Sequence, residues 1–178
     1  TRERGRTLAA GFMALGLGKG DKVALISEGR NEWIFCELGI LHAGAVNVPL
    51  SFKLESDQDL LFRINHSDSR FVIASESQIA KVRRVIDRCP AVEKVIVIDD
   101  IELQDKEMHL KDIYAMGEEF IKDRAAELEE RIASVGPDDY ANISCDHNQL
   151  VMDIMRKTAL RHDMVCLLYE KPFAGVNG

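Results

Sequence analysis

The sequence predicts an α/β protein, a mostly parallel sheet with helices on both faces. Three observations predict it. Short, mostly apolar runs recur, at Val23–Ile26, Ala45–Leu50, Arg70–Ala74 and Val95–Ile98. The stretches between them carry apolar residues at helical spacing. Glycine, proline and asparagine mark the changes from one to the other. Strands buried on both faces read as continuous apolar runs, and helices between them connect one parallel strand to the next.

Leu8, Phe12 and Leu15 fall at i, i+4 and i+7 and predict a helix with one apolar face, ended by Gly16, Gly18 and Gly20. Asp21-Lys22 leads into the first strand, and Ser27 to Arg30 turn the chain. Asn31 is placed to cap a helix running through Trp33, Phe35, Leu38 and Leu41. Gly44 closes that helix before the second strand. A third helix is expected over Ser56 to Asn65 and a fourth over Ser77 to Arg88, with Ile79, Val82, Val85 and Ile86 on one side and Pro90 as its stop. The β-branched run Val95–Ile98 ends on Asp99-Asp100. Residues 101 to 109 are polar and read as a loop. A long charged helix follows over Leu110 to Ser134, with Ile113, Phe120, Ile121, Leu128 and Ile132 on its apolar side. Gly136-Pro137-Asp138-Asp139 breaks the chain, and Tyr140–Ser144 reads as a further strand. After Ser144 a helix capped by Asp146 or Asn148 carries Leu150, Val151, Ile154, Met155, Thr158 and His162. A strand over Met164 to Tyr169 and a loop over Lys171 to Gly178 complete the chain.

The 178 residues are 46% hydrophobic and 30% charged with a net charge of -7, the balance of a globular protein able to bury its own core. The negative charge argues against nucleic acid as a partner. No apolar run reaches transmembrane length. Thr1-Arg2-Glu3-Arg4 has no methionine and no apolar signal core and reads as an internal start. Cys36, Cys89, Cys145 and Cys166 contain no C-x-x-C pair, so the expectation is four reduced structural thiols in a cytoplasmic protein. Lys19-Gly20-Asp21 reads as a helix-to-strand turn rather than a phosphate contact. Asp99-Asp100 sits where α/β folds place ligands, but without a neighbouring histidine or second carboxylate motif. His147 and His162 are not at i, i+4 and do not form a metal pair. Cys145 beside Asp146 and His147 is assigned no catalytic role, because a neighbouring carboxylate raises a thiol pKa. No catalytic residue and no metal site is assigned.

Residues 7 to 50 carry Leu15-Gly16-Leu17-Gly18-Lys19-Gly20-Asp21-Lys22-Val23-Ala24, Ser27-Glu28-Gly29-Arg30-Asn31-Glu32-Trp33 and Gly44-Ala45-Val46-Asn47-Val48-Pro49-Leu50. In order and spacing these resemble the N-terminal region of AMP-forming long-chain acyl-CoA synthetases. The likeness continues through Asn65–Ile73 and Val95–Asp99 and reaches Pro137–Ser144, so residues 1-144 resemble an incomplete N-terminal α/β region of that family. The resemblance implies a parent reaction in which ATP activates a fatty acid to an acyl-adenylate that coenzyme A then converts to a thioester, with ATP, Mg and coenzyme A as the parent's cofactors. It also implies that a Ser/Thr/Gly-rich loop holding the ATP phosphates follows the strand at Tyr140–Ser144. Here Cys145-Asp146-His147-Asn148 follows instead. Backbone donors suit a phosphate, and a carboxylate does not. At about 4 Å a like-charge contact costs about 1 kcal/mol in water and several times that near a protein surface. The family's ribose-binding acid and catalytic lysine have no counterpart in the chain. The expectation is a truncated, inactive ligase region that needs no cofactor.

Residues 145-178 resemble type III glutamine synthetase through Asn148–Asp153, Ala159–His162 and Cys166-Leu167-Leu168-Tyr169-Glu170-Lys171-Pro172-Phe173. Ala174–Gly178 matches the start of that family's glutamate-binding loop. The resemblance thus implies a weak substrate-binding role for Asn177 and Gly178, without the carboxylates of the two-metal site. The two segments join near Ser144/Cys145, by gene fusion, rearrangement or sequence assembly. Two alternatives stand beside the inactive-ligase reading. One is a non-catalytic α/β module that binds a protein or acyl ligand, or associates with itself through exposed sheet edges. The other is a glutamine synthetase-related role for the C-terminal segment.

Overall fold

The computed structural model describes residues 2–137 together with Asp139 and Ala141. All of these belong to the first of the two units into which the chain divides, Thr1–Ser144. The helix, strand and loop expected after Ser144, and most of the strand expected at Tyr140–Ser144, lie outside the described residues.

The apolar runs form strands and the stretches between them form helices, as expected. In chain order these are α1 (Arg2–Ala14), β1 (Lys22–Ile26), α2 (Asn31–His42), β2 (Val46–Leu50), α3 (Asp57–His66), β3 (Ser69–Ala74), α4 (Glu76–Val85), β4 (Lys94–Val97), β5 (Glu107–His109) and α5 (Leu110–Ala133). The five strands lie in the order β2-β1-β3-β4-β5, and every pairing is parallel. The register sets Ala24 between Val48 and Val72, and Ile73 opposite Ile96.

Alternation along each strand divides the side chains between two faces. Val23, Leu25, Phe71, Ile73 and Ile96 join Leu8 and Phe12 of α1, Ile40 of α2 and Ile113 and Phe120 of α5 in one buried cluster. Ala24, Ile26, Val72, Ala74, Val95 and Val97 are equally buried and point to the other face. There α3 and α4 bury Leu60, Ile64, Ile79, Val82 and Val85. Each such large side chain contributes about 1.5–3 kcal/mol by leaving water.

Three boundaries differ from the sequence reading. Asn31 is the first helical residue of α2, not its cap; Arg30 is the N-cap, with extended backbone and no side-chain cap bond. The fourth helix ends at Val85, and Ile86–Arg88 continue as a 3₁₀ turn before Pro90. Within residues 101 to 109, Glu107–His109 form β5, pairing Val95 with Glu107 and Val97 with His109. Hydropathy hides this strand because Glu107 occupies a nearly covered position. Its side chain is 3% exposed and takes two bonds from the Arg83 guanidinium, at 2.8 and 2.7 Å. Arg83 holds the Glu107 carboxyl below its ordinary range against the opposing effect of burial.

Helix α1 is wedged between α2 and α5 at glycine contacts. A Cβ on Gly11 would lie 2.1 Å from the Ile113 carbonyl oxygen, and one on Gly117 would lie 2.0 Å from that of Thr7. On the α2 side, a Cβ on Gly39 would meet Leu8 Cβ at 2.7 Å. Backbone cannot yield as a side-chain tip can, so these contacts fix the helix spacing. Gly11→Ala and Gly117→Ala should each cost about 3 kcal/mol or more in urea denaturation, at the upper end of overpacking effects. Gly29→Ala, where nothing lies within 4 Å, should stay within about 0.5 kcal/mol of the parent.

Candidate functional site

The strand order places the first candidate site. In an open parallel sheet, ligands bind outside the carboxyl ends of the strands where the order reverses. Here the chain leaves β1 toward β2 on one side, while β3 lies on the other. The residues that emerge at that crevice are Glu28 after β1, Ser75 and Ser77 after β3, and Asp99 after β4.

These side chains meet. The Ser75 and Ser77 hydroxyls each donate to Glu28 Oε2 at 2.7 Å. Arg30 Nη1 donates to both oxygens of Asp99, at 2.7 and 3.0 Å, and Arg30 Nε donates to Glu32 at 2.9 Å. Asp99 Oδ2 also accepts the Glu76 backbone N–H at 2.7 Å, at the positive end of α4. The Gln78 amide nitrogen donates to Ser77 at 2.9 Å, while its oxygen is buried without a partner.

The electrostatics follow from these contacts. Burial pushes the Glu28 carboxyl up, but the Ser75 and Ser77 hydroxyls, its own N–H and Arg30 together hold it below its ordinary value. The bond from Arg30 is the main reason Glu32 is also depressed. Arg30 in turn is raised, chiefly by Glu32 and then by Asp99, against its own desolvation. Three carboxylates surround one guanidinium, which leaves the crevice with a surplus of negative charge. Its hydroxyls are committed to Glu28 and no nucleophile stands free in the network. It ties three strand ends together.

The second feature is the outer edge of β2, the first strand in the order of the described sheet. The Asn47 N–H donates to the Ala141 carbonyl at 3.0 Å, so the chain returning after α5 meets the sheet there. Asn47 is fully buried, with its amide nitrogen donating to Glu37 at 3.3 Å.

Of the residues singled out from sequence, Asp99 joins the crevice network, while Asp100 turns away to Lys111 at 2.5 Å. Lys19-Gly20-Asp21 is the expected turn, in which the Asp21 carboxylate accepts the Gly18 N–H at 2.7 Å. Trp33 packs against the core cluster. Cys36 and Cys89 are buried free thiols, both raised in pKa by burial. Cys145, His147, His162, Asn177 and Gly178 lie outside the described residues. Among the described residues no group of three His, Cys, Asp or Glu stands placed to hold a metal ion, and no helix is long and apolar enough to cross a membrane. Sequence reading missed Glu28, Arg30, Ser75 and Ser77 as a group. Its one available signal was that polar residues directly follow apolar strands at each of these points.

The profile of the AMP-binding enzyme family matches residues 1–144. The chain is similar to 4-hydroxybutyrate–CoA ligase 2 of Metallosphaera sedula, with 35% identity over 92 residues, which is 52% of this chain and 16% of that protein. It is similar to the type-3 glutamine synthetase of Dictyostelium discoideum, with 58% identity over 38 residues, 21% of this chain and 5% of that one. The crystal structure of coronafacic acid ligase from Pectobacterium brasiliense superposes with a TM-score of 0.59 at 27% identity, covering 63% of this chain and 23% of that one. The chain therefore spans a small part of the length of the relatives it matches.

The crevice network gives a prediction. Arg30→Met leaves Asp99 and Glu32 without their partner and should cost about 2 kcal/mol in urea denaturation at neutral pH. Glu28 and Glu32 have depressed folded values, so the stability they contribute is present above the ordinary glutamate range and is lost as pH falls through the folded values. The parent protein should lose stability on acidification below about pH 4.3. Arg30→Met should show a shallower loss over that window.

Proposed function

Because this chain belongs to the AMP-binding enzyme family, we propose that residues 1–144 are the opening α/β portion of an acyl-CoA ligase, carried here without the family's phosphate-binding loop. In the parent reaction a carboxylate oxygen attacks the α-phosphorus of ATP and expels pyrophosphate. The thiol of coenzyme A then attacks the acyl carbon and displaces AMP. The ligase relative supports a carboxylic acid as the parent substrate class, and we take a fatty acid as its form here.

One observation carries the expectation of inactivity. The Ala141 carbonyl is held on the Asn47 amide at 3.0 Å, which brings the chain to the edge of β2 just ahead of Ser144. The next residues are Cys145-Asp146-His147-Asn148, which contain no glycine and add a carboxylate. A triphosphate needs close backbone donors at that point, and this composition opposes it. The filled crevice between β1 and β3 supports the same reading, because Glu28, Glu32 and Asp99 leave no surplus positive charge for ATP.

A glutamine synthetase-related role for residues 145–178, with Asn177 and Gly178 as its substrate contacts, is the second reading. The short segment of high identity favours it. Self-association through sheet edges is weakened by the short β5, whose Glu107 turns a charge inward.

The ligase reading predicts no ATP–pyrophosphate exchange above a protein-free control with any fatty acid, and turnover would overturn the expectation of inactivity. Glutamate-dependent ATP hydrolysis by the purified chain would favour the second reading instead.

A further inference from the structure

We propose that Lys19 is a latch that sets the position of the chain following α5 on the outer edge of β2. The inference rests on contacts within the first unit and holds whether or not the chain activates a carboxylate.

Lys19 lies in the turn between α1 and β1. Gly20 takes φ +81, and its N–H donates to the Gly44 carbonyl at 2.8 Å, which joins this turn to the one between α2 and β2. The end of α5 arrives at the same place. Arg131 Nη1 donates to the Leu17 carbonyl at 3.3 Å and the Ala43 carbonyl at 3.1 Å. Gly44 leaves room for the stems to meet: a Cβ there would lie 3.2 Å from Lys19 Cγ, 3.4 Å from Arg131 Cδ and 3.5 Å from Val135 Cγ2.

Lys19 then makes two contacts that straddle the break after α5. Its ammonium donates to the Ser134 carbonyl at 2.6 Å and pairs with Asp139 Oδ2 at 2.9 Å. The same Asp139 oxygen accepts the Gly136 N–H at 2.8 Å, and the Asp139 N–H donates to the Gly136 carbonyl at 3.2 Å. The turn is therefore closed on itself and held by one ammonium. Two residues later, Ala141 meets Asn47. Ser134, Asp139 and Ala141 are successive fixed points along this return, and Lys19 supplies the first two. Arg131 anchors the helix end, but its bonds reach only the turns on the near side of the break.

Neighbouring amides of β2 separate this role from general stability. The Asn47 N–H points to the edge and bonds Ala141, whereas the Val46 N–H points inward and bonds the Asp21 carbonyl at 2.8 Å. If Lys19 is the latch, Lys19→Met should speed hydrogen exchange at Asn47 roughly threefold to tenfold relative to Val46, the range of one partly exposed charge-assisted contact pair. Lys19→Arg should restore most of the protection. Asp139→Asn keeps the Lys19 stem over Gly44 and should produce a smaller change of the same sign. Equal exchange at Asn47 in all four proteins, or parallel acceleration of Asn47 and Val46 in both Lys19→Met and Asp139→Asn, would overturn the proposal.

Discussion

The Arg30 guanidinium holds the carboxyl ends of the sheet together, and the reading of the crevice depends on it. It leaves the turn after β1, reaches Asp99 after β4, and through Asp99 secures the first N–H of α4. Glu28 is left to the Ser75 and Ser77 hydroxyls. Three consecutive strand exits of the order β1-β3-β4 are thereby cross-linked by hydrogen-bonded polar groups. At the amino ends Arg70 does similar work, bonding Glu93 at 3.0 and 2.8 Å, the Gly16 carbonyl at 3.2 Å, and Asp21. The sheet is stapled at both ends by an arginine, and its central strands β1, β3 and β4 bury apolar side chains between them.

What covers the sheet depends on a different constraint. Helix α1 can lie over Val23, Leu25 and Phe71 only because Gly11 and Gly117 let it approach α5 at backbone distance. The close crossing leaves α1 almost without freedom to shift, and so fixes the α1–β1 turn from which Lys19 extends. Packing on one face and hydrogen bonding at the β2 edge are linked through that turn.

Much of this was legible in the sequence. Val23–Ile26, Phe71–Ala74 and Val95–Val97 announce buried strands because their apolar character is continuous. Gly16, Gly20 and Gly44, all with positive φ, stand where the sequence placed breaks. What was hidden depends on sheet order, which no local pattern states. Glu107 reads as a loop residue until Arg83 is brought beside it. Asp99 reads as a candidate ligand group until Arg30, far away in sequence, saturates it. Arg30 caps α2 with its backbone while its side chain serves the crevice, so a cap judged from side-chain chemistry falls one residue late, on Asn31. The two resemblances were visible because each depends on short runs of ordered residues. Residues 1–144 match the AMP-binding enzymes, and a separate short segment matches glutamine synthetase.

The proposal that the crevice between β1 and β3 takes no nucleotide rests on its own side chains bonding one another there. Backbone amide resonances of Glu28, Arg30, Ser75, Glu76 and Ser77, followed while Mg·ATP is titrated to millimolar concentration, test it most directly. The account predicts that these five resonances do not move beyond the uniform drift of added salt. Saturable shifts confined to them would contradict it.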